Sequence, residues 1–210
     1  MKLLIVGANG SIGRVVTRHA IDAGHEVTAY VRTPAKLGPL RSELRVVQGD
    51  LSQLDRIREA MQGAEAVISC AGLMRNRKDG AEVYGGGIRN LTAVMAELGI
   101  ERIVTISGAS TPVEGDVVGR GMRVMRRIFR FVLGGIVAAN LAQIEALRAS
   151  DRQWVVVRAT QLSNAPGTGA VAHAHEAPGR VLSRHDLADF MLQQLTDDRF
   201  VGQAPMVASC

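Results

Sequence analysis

Aromatic residues are scarce in this chain: one Trp, two Tyr and four Phe among 210 residues, 3% in all. A platform that stacks the bases of a single strand needs several aromatic faces, so nucleic acid is not the expected partner. The net charge of +5 and the pI near 9.9 then suit a polyanionic small ligand. Cysteine is nearly absent. Cys70 and Cys210 form no metal-ligand spacing and no disulfide framework. No secretory-signal layout opens the chain. The uncharged apolar stretch 131–144 is too short to span a bilayer and contains Asn140 and Gln143. No repeat, low-complexity tract or interdomain linker is visible. A reducing cytoplasm is the expected setting, with no transmembrane segment and a monomer or weak homo-oligomer.

What is present is an alternation of strand-like and helix-like segments. The composition, 47% hydrophobic and 21% charged, fits one compact α/β domain over 1–210. Strands are expected at 3–6, 26–31, 44–48, 66–70, 102–107 and 154–158. Helices are expected at about 11–23, 54–61, 83–98 and 183–195, with Gly24 as a C′ glycine and Ser183/Asp186 as a capping pair. The runs LLIV, AVISC, RIVTIS and WVVVR are continuously apolar or β-branched, as in strands covered on both faces. The expectation is a Rossmann-like, doubly wound parallel sheet with helices on both faces, ligands beyond the strands' carboxyl ends, and small substrate-side elements within about 108–183.

Residues 120–133, RGMRVMRRIFRFVL, carry Arg120, Arg123, Arg126, Arg127 and Arg130, with Met125, Ile128, Phe129 and Val132 on another face. An amphipathic helix with a solvated basic face is the simplest reading. Contact with an anionic substrate, a partner or a membrane surface is the alternative.

The stretch LLIVGANGSIGR places Gly7, Gly10 and Gly13 between a strand and a helix. That context suits a dinucleotide loop. Gly7 permits a sharp turn, Gly10 lets backbone approach a pyrophosphate, and Gly13 lets the helix pack close to the sheet. Amides around Ser11 and Ile12 would meet the anion at the helix N-terminus. An acidic residue at the end of the second strand would select a free ribose 2′-hydroxyl. This chain has Arg32, followed by Thr33 and Lys36, a pattern that selects a 2′-phosphate and hence NADP(H) over NAD(H). Asp50 and Leu51 could meet the adenine, though Asp50 could equally be a turn residue. Cys70, Ala71 and Gly72 offer small residues near the ribose, with Cys70 read as a small hydrophobe rather than a nucleophile.

Together these segments resemble the atypical short-chain dehydrogenase/reductase group, in its NAD(P)H-binding, NmrA-like branch, and most of all the biliverdin IXβ reductase/flavin reductase family. GANGSIG, YVR-TPAKL, QGDL, VISCAGLMRN and the C-terminal block RVLSRHDLADFMLQQLTDDRFVGQ carry the likeness, which covers nearly the whole chain. The resemblance implies NADPH as hydride donor and an open pocket for planar acceptors such as flavins or linear tetrapyrroles. It implies cofactor contacts at Gly7, Asn9, Gly10, Ser11, Ile12, Arg32, Lys36, Asp50, Leu51, Ala71, Gly72, Arg75 and the end of the fifth strand. The chain departs from that family where a threonine–serine pair becomes Ser107–Gly108 and a histidine becomes Gln161.

The Tyr-x-x-x-Lys pair of many short-chain dehydrogenases is missing. Tyr30 lies too early, and Tyr84 is followed four residues later by Ile88. Hydride transfer to a flavin needs no strong protein acid. Ser107, Ser110, Thr111 and Gln161 are the polar candidates beside a nicotinamide, with Ser107 and Gln161 as the catalytic candidates. His173, His175 and His185 are read as solvated, and no metal site is expected. The expected activity is an NADPH-dependent reductase of a flavin, quinone or similar planar acceptor. Alternatives are a non-catalytic NADP(H)-sensing regulator and, last, an isomerase or epimerase.

Overall fold

The computed structural model describes residues 1–72, 76, 78–117, 119–174 and 181–210, without the side chains of 122, 125, 129, 130 and 174. Arg75 and His175 therefore lie outside the described residues. Strands β1 (Lys2–Val6), β2 (Glu26–Val31), β3 (Arg45–Gln48), β4 (Ala66–Ser69), β5 (Arg102–Gly108), β6 (Gln153–Ala159), β7 (Gln161–Ser163), β8 (Val171–Ala174), β9 (Val181–Ser183) and β10 (Met206–Ser209) occur in that order. Interleaved are helices α1 (Gly13–Asp22), α2 (Leu54–Met61), α3 (Gly80–Leu98), α4 (Arg120–Val132), α5 (Gly134–Arg148) and α6 (Arg184–Gln193).

Eight strands form one sheet in the order β3-β2-β1-β4-β5-β6-β10-β8. All neighbours are parallel except β8, which runs antiparallel to β10. Strands β7 and β9 pair separately in parallel. The order reverses beside β1, which leaves a crevice at the carboxyl ends of β1 and β4. This is the Rossmann-like α/β fold expected from the continuous apolar strands.

Successive side chains of a strand point to opposite faces. Leu3 and Ile5 enter one core with Val16 and Ala20 of α1 and Leu187 and Met191 of α6. Leu4 and Val6 enter the other with Ile57 of α2, Ile88 and Leu91 of α3 and Leu147 of α5. On that second face α3 carries Gly85, Gly86 and Gly87 in its interior. A methyl on Gly85 would meet the Ala142 side chain of α5 at 3.0 Å, and one on Gly87 would meet Leu51 Cβ at 2.6 Å. Glycine costs about 1 kcal/mol of helix propensity at each position. The return is close approach of α5 and of the loop after β3.

Several elements depart from the sequence expectations. The stretch 131–144 is not one run: it holds the end of α4 and most of α5. The loop assigned to His173 is strand β8, where the half-buried imidazole lies edge-on to Phe200 at 4.8 Å between ring centroids. The capping pair at α6 is only half present. Ser183 Oγ accepts from the His185 N–H at 3.2 Å. Asp186 turns away instead, accepting from Ser209 Oγ at 2.6 Å and the Gly169 N–H at 3.0 Å. It staples β10 and the loop before β8 to the start of α6.

Candidate functional site

The glycine loop turns at the carboxyl end of β1. Gly7, at φ +76°, donates its N–H to the Tyr30 carbonyl at 2.9 Å, and a methyl there would press the Ala71 N at 3.0 Å. A methyl at Gly13 would overlap the Gly7 carbonyl oxygen and lie 2.9 Å from Ala8 Cα. Any side chain at Gly13 would push α1 off the loop. The first turn of α1 has no side-chain cap and no acidic residue. Among the described residues the Ser11 and Ile12 amides have no hydrogen-bond acceptor. A helix N-terminus left this way, with its partial positive charge, suits a diphosphate.

Neighbouring loops are tied to this turn. Asn9 Nδ2 donates to the Thr33 carbonyl at 2.9 Å. Arg14 donates to the carbonyls of Asn9 and Lys36. These bonds set the segment after β2 against the start of α1. Arg32, Thr33 and Lys36 are exposed there. At the end of β3, Tyr30 Oη donates to the Asp50 carbonyl at 2.6 Å, and burial pushes the Tyr30 hydroxyl up to about 12. Asp50 Oδ1 accepts from the Ser52 N–H at 2.8 Å and the Ser52 hydroxyl. Those bonds, with the nearby Arg32 charge, hold the Asp50 carboxyl below its usual range. Asp50 thus serves as a turn residue whatever else it contacts. Asn90 of α3 fixes Leu51 by donating to its carbonyl at 2.8 Å.

At the end of β4, Cys70 and Ala71 are half-buried and Gly72 is exposed. Burial pushes the Cys70 thiol up to about 12, which fits an inert small hydrophobe. The hydroxyl of Tyr84, the nearest tyrosine in the fold, donates to the Ala71 carbonyl, and burial raises its pKa well above the ordinary tyrosine value. It ties α3 to the turn after β4.

Ser107, at the end of β5, is buried and lies 3.0 Å from Thr111 Oγ1. Asn140 of α5 donates to that same Thr111 oxygen at 3.2 Å. One turn on, Gln143 donates to Thr105 Oγ1 at 2.7 Å. Gln161 sits apart, exposed on β7.

Sequence reading missed the polar centre that holds this region together. Arg158 of β6 is fully buried. It donates through Nη1 and Nη2 to the two Asp116 carboxylate oxygens at 2.7 and 2.6 Å, to the Thr111 carbonyl at 2.9 Å and through Nε to the Ala204 carbonyl at 2.6 Å. Arg126 of α4 reaches the same carboxylate at 2.6 Å and the Ala109 carbonyl at 3.2 Å. Burial opposes ionisation of Asp116, but the hydrogen bonds from Arg158, the Val113 N–H and Arg126 prevail and hold its carboxyl below 3.8. Arg126 is therefore not part of a solvated basic face. It points inward and fastens α4 to the loop that follows Ser107.

A cavity of about 490 Å³ lies between α1 and α6, and one of about 230 Å³ between β8 and α6. Neither includes the glycine loop. The loop, the end of β2, the Asp50–Leu51 turn and Ala71–Gly72 instead line up across the carboxyl edge of the sheet.

The chain is similar to several known proteins. An uncharacterized protein of Mycobacterium bovis is 31% identical over 112 residues, covering 53% of this chain and only 12% of that protein. A short-chain dehydrogenase/reductase from Veillonella parvula, solved with NADP, superposes with TM-score 0.79 at 18% identity, over 99% of this chain and 94% of that one. ChuY, an anaerobilin reductase from Escherichia coli O157:H7, superposes with TM-score 0.80 at 18% identity, over 100% and 97%. At such identities the structures show a shared fold. The family model for NAD(P)H-binding proteins matches residues 7–198, from the first glycine of the loop to past α6. The chain belongs to this NAD(P)H-binding family.

Proposed function

We propose that the chain is an NADPH-dependent reductase that passes hydride to a planar acceptor such as a flavin or quinone. The observation that carries this reading is the exposed Arg32 at the end of β2, held beside an uncapped α1 N-terminus with Thr33 and Lys36. The Ser11 and Ile12 amides, with Gly7, Gly10 and Gly13, hold the pyrophosphate. Arg32 forks onto the 2′-phosphate, with Thr33 and Lys36 beside it. Asn9 positions this corner through Thr33. Asp50 and Leu51 flank the adenine. Cys70, Ala71 and Gly72 would border the ribose. When bound, NADPH supplies the hydride.

The protein's part at the reacting end is orientation. Asn140 donates to Thr111, so the Thr111 hydroxyl can donate to Ser107 and leave the Ser107 O–H to donate outward. That proton would hold the carboxamide or the acceptor in line. Gln161 would contact the acceptor's outer edge. ChuY's description as an anaerobilin reductase is compatible with a planar acceptor of this kind.

The second reading, a non-catalytic NADP(H)-sensing regulator, draws on the commitment of both tyrosine hydroxyls to backbone carbonyls. One assay separates the two. Purified protein is mixed with NADPH and FMN, riboflavin, quinones and dyes, and the NADPH absorbance is followed. Turnover with any acceptor, reduced in Ser107→Ala, supports the reductase. Tight NADPH binding with no turnover supports the regulator.

A further inference from the structure

Among its described side chains, helix α4 turns an apolar stripe outward. Val124, Ile128 and Phe131 fall at i, i+4 and i+7, on one face of the helix. Their exposures are 60%, 57% and 92%, and Val132 beside them is 58% exposed. Arg126 lies two residues from both Val124 and Ile128, across the helix, and is the side chain turned inward to Asp116. A surface helix normally does the reverse, burying the apolar stripe and exposing the charges. The buried guanidinium fixes the rotation of α4, so the exposed stripe is built into the fold.

The charges around the stripe identify what covers it. Arg120 and Arg127 border it, Arg123 lies further round, and all three are exposed. No carboxylate occurs between Asp116 and Glu145. A second copy docked on the same face would set arginines against arginines with no acid to offset them. A surface that is apolar beneath and negative at its rim matches both features. We infer that α4 is a docking element for an anionic lipid surface, lying in the plane of the interface with Phe131, Ile128 and Val124 among the acyl chains and Arg120, Arg123 and Arg127 on the phosphates. Val117, before the helix, is 61% exposed as well. The inference stands whichever acceptor the cofactor site serves.

Sedimentation with lipid vesicles tests it. The full chain is mixed with vesicles of phosphatidylcholine alone, or of equal parts phosphatidylcholine and phosphatidylglycerol, at low and high salt. Binding is expected only with phosphatidylglycerol, and it weakens as salt rises. The double variant Phe131→Ser/Ile128→Ser is expected to lower the partition about tenfold or more. Arg120→Gln/Arg127→Gln is expected to lower it about tenfold. Both should keep the wild-type melting temperature and NADPH affinity, which separates lost docking from lost folding. Wild-type protein that stays in the supernatant with both vesicles overturns the inference, and so does equal binding by the Phe131/Ile128 variant. A dimer in light scattering that this variant dissociates, without vesicle binding, would assign the face to a second copy and likewise overturn it.

Discussion

At Gly13 a single methyl group would overlap the backbone oxygen of Gly7. Gly13→Ala is expected to cost about 1–3 kcal/mol of stability, since backbone cannot yield as a side chain does. The same shift should move the Ser11 and Ile12 amides and weaken NADPH binding. Urea midpoints and a fluorescence titration report the two effects, and unchanged values for both would contradict the packing argument. Arg32 tests recognition, because its side chain is exposed and acts on its surroundings through its charge near Asp50. Arg32→Ala is expected to weaken NADPH binding roughly 10- to 100-fold, the worth of a hydrogen bond to a charged group. NADH binding should stay the same. Equal affinity for the two nucleotides in the wild type would remove the basis for choosing NADP(H). Arg158 belongs to stability. Arg158→Met leaves Asp116 buried with one guanidinium fewer, and a loss of about 3–5 kcal/mol is expected from chemical denaturation.

Among the elements, α6 starts at a serine with two bonds. Ser183 Oγ accepts from the His185 N–H and donates to the Ala165 carbonyl. Ser183→Ala is expected to cost about 1–2 kcal/mol, read as a lower thermal midpoint with cofactor affinity retained. This cap was legible in the sequence because caps are local: a serine preceding an apolar helix is enough. So were the glycine loop and β1 to β6; the continuous apolar runs of β1, β4, β5 and β6 reflect burial on both faces. Helix α5 was not legible. Its GGIVAANLAQIEALR is small and apolar nearly all round, so it shows no face, and its partner is the glycine row of α3. Strand β10 has only four residues and owes its place to β6 and β8. The Arg158–Asp116 pair spans 42 residues of chain, a separation that no spacing rule marks. In α4 the periodicity was plain but the orientation was not. A helical wheel gives two faces and cannot say which is buried, and here one ion pair decides.

For the whole molecule, acid is the condition that loosens it. Asp116 and Asp186 are both buried, and burial alone would raise their pKa values. Hydrogen bonds from Arg158, the Val113 N–H and Arg126 to Asp116 outweigh this, as do those from Ser209, Gly169 and Thr168 to Asp186. Both carboxyls therefore stay below 3.8. In the unfolded chain they take up protons first as pH falls. Their stabilisation is present above that ordinary value and is lost as pH drops through the depressed ones. Urea midpoints should be level from neutral pH to about 5 and fall steeply below about 4. Asp116→Asn should be less stable at neutral pH and show a shallower acid decline; a decline as steep as wild type would remove Asp116 from the account. The Asp116 carboxylate also joins two distant surfaces. One guanidinium on it comes from β6, beside the end of β5, and the other from α4. If a lipid surface on α4 and NADPH at the sheet edge favour different arrangements of this junction, each changes the other's affinity by the same factor. That coupling would run through one aspartate, and Arg126→Met is expected to uncouple the two binding equilibria.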